Sequence, residues 1–402
     1  MNLILRHIFL MSLFILITGC SHTDNNPQKT TITFWHFWSE PIQKEALQSL
    51  IDQYESEHPT IDIITNELQW TDGKTKLLLA FSSNQVPDII HIGLEWVPEF
   101  IQAEVLHELT VDSSYNIPKQ LLPALKDASG KFYAIPWTMN TRALILTHQL
   151  SQNTLSDTVS IETLSALIHN QKLWGVNAHE PHTLLKKVLP IIWSKGSSLC
   201  RSLPFSATFD KDAIQGLNAY LQLVKHGKID QSRQLDMYLT KGTIQAFITG
   251  QWIIPSLKDI PHTVMPRIPG VSGASILSGD CFAITKQSAN VIEANKFLQF
   301  LNSYSNSKKF CLKIADAGIP ASNLVWNDSS FKENPDISAF TALCSRSIVL
   351  PSPPYFLDAE KILEESIMKA VYGTMSPELA LSEAKSLLKA LEDKYNDQSN
   401  NP

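Results

Sequence analysis

A strand, a helix and a second strand follow one another near the N-terminus, and this pattern constrains the fold more than any other feature of the sequence. In the stretch TITFWHFWSE, which runs from Thr31 to Glu40, apolar residues alternate with polar ones, and this predicts a strand. Apolar residues at helical spacing continue to Pro59, and Ile61 then begins a second strand. Strands that are joined through a helix lie parallel. The chain must therefore contain a parallel sheet that is covered by helices.

Helix and strand patterns continue to alternate along most of the chain. Its 402 residues exceed the length that one hydrophobic core usually stabilises. The sequence pattern therefore predicts two α/β lobes. Further predictions are a helix over 95–105, strands over 132–136 and 143–147 with a polar-aromatic break at 137–140 between them, a helical segment over 244–249, and a bent strand over 276–284.

Residues 1–19 have the features of a lipoprotein signal peptide. Arg6 precedes an apolar run that is too short to span a bilayer but is typical of a secretory signal. The run ends in Ile17-Thr-Gly-Cys20, which resembles the bacterial lipobox and predicts cleavage before Cys20 and lipidation of its thiol. Residues 20–30 are polar and predict a flexible tether. We expect an extracytoplasmic protein that is anchored by lipid to the bacterial membrane, in the periplasm or at the cell surface.

The composition and the motifs favour a binding role over catalysis. The net charge of −6 is spread along the chain without a basic cluster, and this argues against a nucleic-acid partner. The sequence contains no G-x-S-x-G, H-E-x-x-H or G-x-x-x-x-G-K-[ST] motif. No cofactor or metal is expected. The four cysteines after the tether lack C-x-x-C spacing, and the sequence leaves open whether they form a bridge or remain free thiols: Cys200, Cys281, Cys311 and Cys344.

Four aromatic rings stand together at the end of the first predicted strand, from Trp35 to Trp38. In an open parallel sheet, ligands bind outside the carboxyl ends of the strands. Side chains of a strand alternate between its two faces, so four consecutive rings cannot all enter one core. At least some of them are therefore expected to line a cleft.

Nine segments, taken in order, make the chain similar to the extracellular solute-binding lipoproteins of carbohydrate ABC importers, in the branch of the maltose- and maltodextrin-binding proteins. The segments are TITFWHFW, EHPTIDI, VPDIIHIGLEWVPEFIQAEVLHELT, GKFYAIPWTMNTRALIL, EPHTLLKKVLPIIWSKGSSL, AFITGQW, GASILSGDCFAI, AGIPAS and LPSPPYF. The resemblance extends from Thr31 to about Tyr395 and implies a periplasmic-binding-protein-like fold of type II, in which two α/β lobes close on a ligand about a hinge.

The resemblance also implies the boundaries of the two lobes. Lobe 1 would comprise residues 31–139 and 279–321, and lobe 2 would comprise residues 140–278 and 322–396. The chain would cross between the lobes near 137–141, 277–279 and 321–327. Gly279 would give the backbone freedom at a hinge, although a β-bulge is an alternative interpretation.

By the same resemblance, a set of residues is expected at an interlobe sugar site. Aromatic rings would pack on the C–H faces of a sugar, and carboxylates, amides and imidazoles would bind its hydroxyls. The expected residues are His36, Trp38, Glu40, Glu95, Trp96, Trp137, Asn140, Glu180, His182, Trp252, Gly279, Asp280 and Tyr355.

Four positions in or next to this set depart from the family pattern, among them Asp280, which stands where relatives carry glycine or another small residue and would add an acceptor. Asn140 stands where relatives commonly carry a carboxylate, and an amide cannot form a charge-assisted hydrogen bond. His182 takes the place of an aromatic residue, and Gln251 replaces the proline that precedes Trp252. These departures leave the preferred sugar open.

The resulting hypothesis is a monomeric substrate-binding component of an ABC importer, which captures a sugar or oligosaccharide by lobe closure and delivers it to the permease subunits. A binding protein for glycerol phosphate, a glycerophosphodiester or another polar solute is the first alternative. Arg142 and Arg346 are its candidate phosphate ligands, although both are expected to pair at the surface. A secreted glycoside hydrolase and an adhesive surface lipoprotein are alternatives of another class.

Overall fold

The computed structural model describes residues 29–152, 160–168, 173–178, 182–225 and 227–400. The predicted signal peptide with Cys20 and the predicted ligand residue Glu180 lie outside the described residues. Within these ranges, no helix combines the length and the apolar character that crossing a bilayer requires.

The described elements alternate between strands and helices over most of the chain. In chain order the strands are β1 Thr30–His36, β2 Ile61–Glu67, β3 Ile89–Gly93, β4 Ile135–Thr141, β5 Ala143–Thr147, β6 Gly175–Asn177, β7 Lys228–Asp230, β8 Ala246–Thr249, β9 His262–Val264, β10 Leu277–Ile284 and β11 Ile319–Pro320. The helices are α1 Pro41–Glu57, α2 Gly73–Ser83, α3 Val97–Gln102, α4 Leu122–Leu125, α5 His148–Ser151, α6 Ile161–Ile168, α7 Leu185–Trp193, α8 Lys211–Val224, α9 Ser232–Thr240, α10 Val291–Asn302, α11 Tyr304–Lys313, α12 Pro335–Cys344, α13 Phe356–Val371 and α14 Pro377–Asn400.

The first lobe is built on a six-stranded sheet with the order β11-β4-β10-β3-β1-β2. As the strand-helix-strand pattern predicts, β1 pairs in parallel with β2, and it also pairs in parallel with β3. The long strand β10 runs antiparallel between β3 and β4. Phe34, Trp137 and Phe282 are among the buried side chains that form the core of this lobe.

The second lobe has a separate core around an antiparallel sheet of order β8-β5-β9 and a parallel pair of β6 and β7. Its buried side chains include Leu144, Trp193 and Phe247. The four cysteines of the described residues are buried free thiols, so the structure favours the free-thiol alternative over a bridge.

Three chain segments meet between the two cores and are joined by hydrogen bonds. The core changes between Met139 and Ala143, and again between Ile276 and Leu277. Thr141 Oγ1 donates to the carbonyl oxygen of Ile276 at 2.8 Å and lies 3.0 Å from Ser347 Oγ. These short segments therefore connect the two cores.

Beyond the third predicted crossing, at 321–327, side chains pack against both cores. Val325 and Phe331 still belong to the core of the first lobe. Farther along the chain, Ile348 packs against the second core and Val349 against the first.

Two predictions of local structure are wrong. Residues 244–249 contain a strand rather than a helix, because the short apolar run at Ala246–Thr249 pairs with β5, and such a run carries no periodicity that distinguishes the two. The predicted break at 137–140 lies inside β4, where β10 on one side and β11 on the other complete its hydrogen bonding.

Candidate functional site between the lobes

The carboxyl ends of β1 and β3 bring several predicted site residues together, as the parallel arrangement requires. Trp38 follows β1 and stacks on His91 of β3, with ring centroids 5.3 Å apart and an interplanar angle of 14°. Its edge lies against Trp137, at 6.0 Å between centroids. Trp38, Trp96 and Trp137 are all buried, so these rings form the floor beneath the site rather than an open surface.

Two predicted residues near β1 lie apart from this floor. His36 is buried, and it lines a cavity of about 220 Å³ together with Lys44 and Glu67. Burial, together with the nearby His91 and Lys44, lowers the pKa of His36 to about 3, so the imidazole is neutral. Glu40 is exposed and directly precedes α1, where its backbone N–H donates to Gln43 Oε1 at 3.0 Å.

Asp280 lies at the centre of a buried polar group on the first lobe. The backbone N–H of Phe37 donates to Nδ1 of His91 at 3.1 Å, which leaves Nε2 as the ring nitrogen that can donate. That nitrogen lies 3.5 Å from Asp280 Oδ1, and Thr138 Oγ1 donates to Asp280 Oδ2 at 3.2 Å. The adjacent Gly279 allows the strands to approach closely, because a Cβ there would lie 2.2 Å from the carbonyl oxygen of Thr138. Close approach therefore explains this glycine.

Arg142 extends from the junction of β4 and β5 into the cleft, so the expectation that it pairs at the surface is wrong. Its Nη1 donates to Asn140 Oδ1 at 2.9 Å, and its guanidinium lies 4.6 Å from the ring centroid of Trp252. Burial lowers the pKa of Arg142 to about 10, against the opposing effect of the nearby carboxylates of Glu95, Asp280 and Asp236. Arg346, by contrast, is exposed.

Trp252 is fixed by its own hydrogen bond as well as by the arginine. Its Nε1 donates to Asp236 Oδ2 at 3.0 Å, while Thr249 Oγ1 donates to the other oxygen of the same carboxylate at 3.1 Å. The ring therefore has a set orientation, with the guanidinium of Arg142 next to it.

An ion pair joins the two lobes directly. Lys186 in the first turn of α7 lies 3.4 Å from Glu95 Oε1, and both side chains are largely buried. Burial alone would raise the pKa of Glu95, but Lys186, a backbone hydrogen bond and Arg142 together lower it. Burial likewise disfavours the charged form of Lys186, yet Glu95 and Glu360 raise its pKa above the usual value.

The space beside this ion pair is small. A cavity of about 20 Å³ is lined by Glu95, Lys186, Ser278 and Phe356, among others. This volume suits about one water molecule. Phe356 lines this cavity, whereas the predicted residue Tyr355 packs in the second lobe against Tyr395, at 5.1 Å between centroids.

His182 lies on the second lobe beside α13. Its Nδ1 lies 2.6 Å from Oε2 of the buried Glu360, and its backbone N–H donates to Glu364 Oε2 at 2.9 Å. The hydrogen bond to Glu360 raises the pKa of His182, although burial opposes the shift. These contacts hold the turn before α7, and therefore position Lys186. His182 and Glu364 also border a pocket of about 730 Å³.

Several residues of the site were not found from the sequence. One feature of the sequence could have indicated Lys186. Two lysines lie in the first turn of a helix, where positive charge opposes the helix dipole, and this suggests a role other than stabilising the helix. His91 and Asp236 carried no motif at all. Their partners lie far away in sequence or on another element, and only the fold brings them together.

The fold and the cleft define a two-lobed solute-binding protein, in which residues of both lobes face a common interlobe site. The chain belongs to the family of bacterial extracellular solute-binding proteins, whose model matches residues 49–339. This confirms that part of the resemblance carried by the nine sequence segments which places the chain among the extracellular solute-binding proteins.

Solved structures confirm the type II two-lobed fold. The cyclic α-maltosyl-1,6-maltose binding protein of Arthrobacter globiformis superposes with a TM-score of 0.78 at 18% identity, covering 90% of this chain and 98% of that one. The GacH receptor of Streptomyces glaucescens, solved unliganded and with acarbose, gives 0.77 at 19% identity over 90% and 98%. The sugar-binding protein MalE of Xanthomonas citri gives 0.77 at 19% identity over 93% and 100%.

Two proteins that are similar in sequence carry less specific names than these structures do. A protein of Brucella abortus (strain 2308) that carries a binding-protein name is 21% identical over 400 residues, covering 92% of this chain and 94% of its own length. An uncharacterized lipoprotein of Streptomyces antibioticus is 23% identical over 137 residues, covering 33% of this chain and 30% of its own.

Proposed function

We propose that the protein captures a neutral sugar or oligosaccharide between its lobes and delivers it to the permease subunits of an ABC importer. The observation that carries this proposal is the charge balance of the cleft. Both cations that the described residues place there already face acceptors: Lys186 pairs with Glu95, and Arg142 contacts Asn140 and lies near three carboxylates. Such a mixture of donors and acceptors suits hydroxyl groups, which both donate and accept.

The proposed mechanism is closure of the lobes on the ligand. A ligand shifts the population toward the closed form only by its differential affinity for that form. Residues of both lobes must therefore contact it. The ligand-binding set expected from the sequence supplies Asp280 and Asn140 from one side of the cleft and Trp252 from the other, and we add Lys186 and Arg142. The permease would then bind the closed form.

An anionic solute such as glycerol phosphate is the second candidate. It is favoured by one observation, the position of Arg142 inside the cleft. The neighbouring carboxylates weigh against it, because they would repel a phosphate unless it displaced them from the guanidinium.

We further propose that the protein acts as a non-enzymatic monomer outside the cytoplasm, held to the membrane by a lipid on Cys20 after removal of residues 1–19. The lipobox-like sequence supports the anchor, and the relative from Streptomyces antibioticus carries a lipoprotein name. Mass spectrometry of the membrane-extracted protein tests this, since an unmodified N-terminus would refute it.

A thermal-shift screen tests the ligand class. The purified protein is heated with maltose, maltotetraose, galactose, cellobiose, glycerol 3-phosphate and glycerophosphocholine. A compound at a hundred times its dissociation constant adds about 2.7 kcal/mol of stability. We expect a shift with a neutral sugar that is lost in Trp252→Ala and kept in Trp35→Ala, a half-buried tryptophan on β1 that packs against the core of the first lobe. A shift with the phosphates alone would move the proposal to the second candidate, and no shift with any of them would refute both.

A further inference from the structure

One tryptophan stands out by its exposure. Trp70 is 50% exposed, whereas the other tryptophans of the chain are buried or half-buried. It follows β2, so it lies at the same carboxyl edge of the sheet as Trp38 and Glu95. Its ring lies 5.5 Å from that of Trp96, which is the direct neighbour of the interlobe ion-pair residue Glu95. The exposed indole is therefore on the first lobe at the rim of the cleft.

The ring of Trp70 is held in place by aromatic neighbours. It stacks on Phe37 with 4.2 Å between centroids and an interplanar angle of 22°, and it meets His91 edge-on at 5.8 Å. Gly73 makes room for this stack, because a Cβ there would lie 2.3 Å from the Phe37 ring. A ring that is fixed before binding loses little conformational entropy when a ligand packs on it.

The other rings near the cleft are less available to a sugar. Trp38 and Trp96 are 5% and 8% exposed. The guanidinium of Arg142 lies next to Trp252. A carbohydrate whose hydroxyls are bound by the polar groups of the cleft still presents a C–H face, which packs best on an accessible aromatic ring.

From this geometry we infer that Trp70 is a carbohydrate-stacking residue on the rim of the first lobe, against which one pyranose ring of the ligand packs its C–H face. The inference rests on the proposed function. Lys74 lies on the same side, 5.8 Å from the Trp96 ring and bound to Glu99 at 2.6 Å, where this ion pair can bind hydroxyls of the same sugar residue. The ligand would then extend from the polar centre of the cleft to its rim.

Isothermal titration with maltose, maltotetraose, galactose and cellobiose tests the inference. Relative to wild type, Trp70→Ala should weaken binding roughly 3- to 10-fold, the range expected for one lost aromatic contact. Trp70→Phe, which keeps a ring, should recover most of the affinity. Leu79→Ala, which truncates a 62% exposed residue of the same lobe, should bind like wild type.

A second readout keeps the inference testable if Trp70→Ala does not fold. Binding of the same sugars should change the intrinsic tryptophan fluorescence of wild type, and the part of that change that comes from Trp70 should be absent in Trp70→Phe. Unchanged affinity in Trp70→Ala, or an unchanged fluorescence response in Trp70→Phe, would overturn the role of Trp70 and leave the proposed function intact. Failure of wild type to bind any of these sugars would overturn both.

Discussion

The ion pair between Glu95 and Lys186 should bias the unliganded protein toward its closed form. Lys186→Met removes the positive charge while keeping most of the side-chain volume. Coulomb's law at 3.4 Å gives an attraction of about 5 kcal/mol at an effective dielectric constant of 20. Loss of hydration offsets most of that attraction, since both groups are largely removed from water. We expect the pair to contribute a net free energy of about 1 kcal/mol, which corresponds to about a fivefold shift in the open–closed ratio.

Distance measurements between spin labels on the two lobes would detect this shift. Leu79 of the first lobe and Leu387 of the second are exposed, and Leu79→Cys with Leu387→Cys provides labelling sites in a chain that begins at Lys29. The four native cysteines in that chain are buried, and burial raises the pKa of each thiol, so they should stay unlabelled. In Lys186→Met the longer distance should gain population.

The control is a charge pair that lies within one lobe. Lys195 pairs with the exposed Glu162, and Lys195→Met should leave the interlobe distances unchanged. Glu95→Lys combined with Lys186→Glu should restore the wild-type distribution in part. If Lys186→Met and wild type give the same distances, the ion pair does not bias closure and the reasoning from its geometry fails.

Three further predictions follow from single contacts. The hydrogen bond from His182 to Glu360 raises the pKa of His182, so its contribution to stability is present below pH 6.5 and is lost as the pH rises through the raised pKa. Melting temperatures of His182→Gln should lack this pH dependence. An equal slope of melting temperature against pH in wild type and variant would contradict the prediction. Gly279→Ala should destabilise the protein by about 1–3 kcal/mol in urea unfolding, because its Cβ would clash with the Thr138 carbonyl oxygen, and a neutral result would refute the close approach. Trp137 is buried, so Trp137→Ala should lower the free energy of unfolding by about 3–5 kcal/mol. Trp137→Phe should keep the affinity for sugar. A loss of affinity in a stable Trp137→Phe variant would place Trp137 at the ligand.

The residues at the carboxyl edge of the first lobe's sheet could be predicted from the sequence, because simple rules of chain connection determine which residues lie there. A strand-helix-strand pattern requires parallel strands, and parallel strands place the residues that follow them at one edge. Trp38, Glu95 and Trp96 could therefore be expected near one another. Whether each ring faces a cleft or a core depends on packing from other elements, and that information is absent from the local pattern. The structure buries Trp96 and leaves Trp70 exposed.

Contacts between distant segments were beyond the sequence. Glu95 and Lys186 are 91 residues apart, and His182 and Glu360 are 178 residues apart. Each side chain alone resembles an ordinary surface charge, and its role arises only when the lobes are assembled. Short buried strands such as β8 were missed for a related reason, since tertiary pairing rather than periodicity fixes them.

Arg142 gives the cleft a direct physical connection to the hinge. Its backbone carbonyl oxygen accepts a hydrogen bond from Ser275 Oγ at 2.7 Å, within the segments that join the lobes. Its side chain lies beside Trp252 and donates to Asn140. A ligand that packs on this face of Trp252 must contact the guanidinium or displace it. A displaced guanidinium would then pair with the carboxylates of Glu95 and Asp280 on the other lobe. In the proposed mechanism, occupation of the cleft would redistribute charge at the residue whose backbone lies between the lobes, and ligand contacts would thereby favour one lobe arrangement over another.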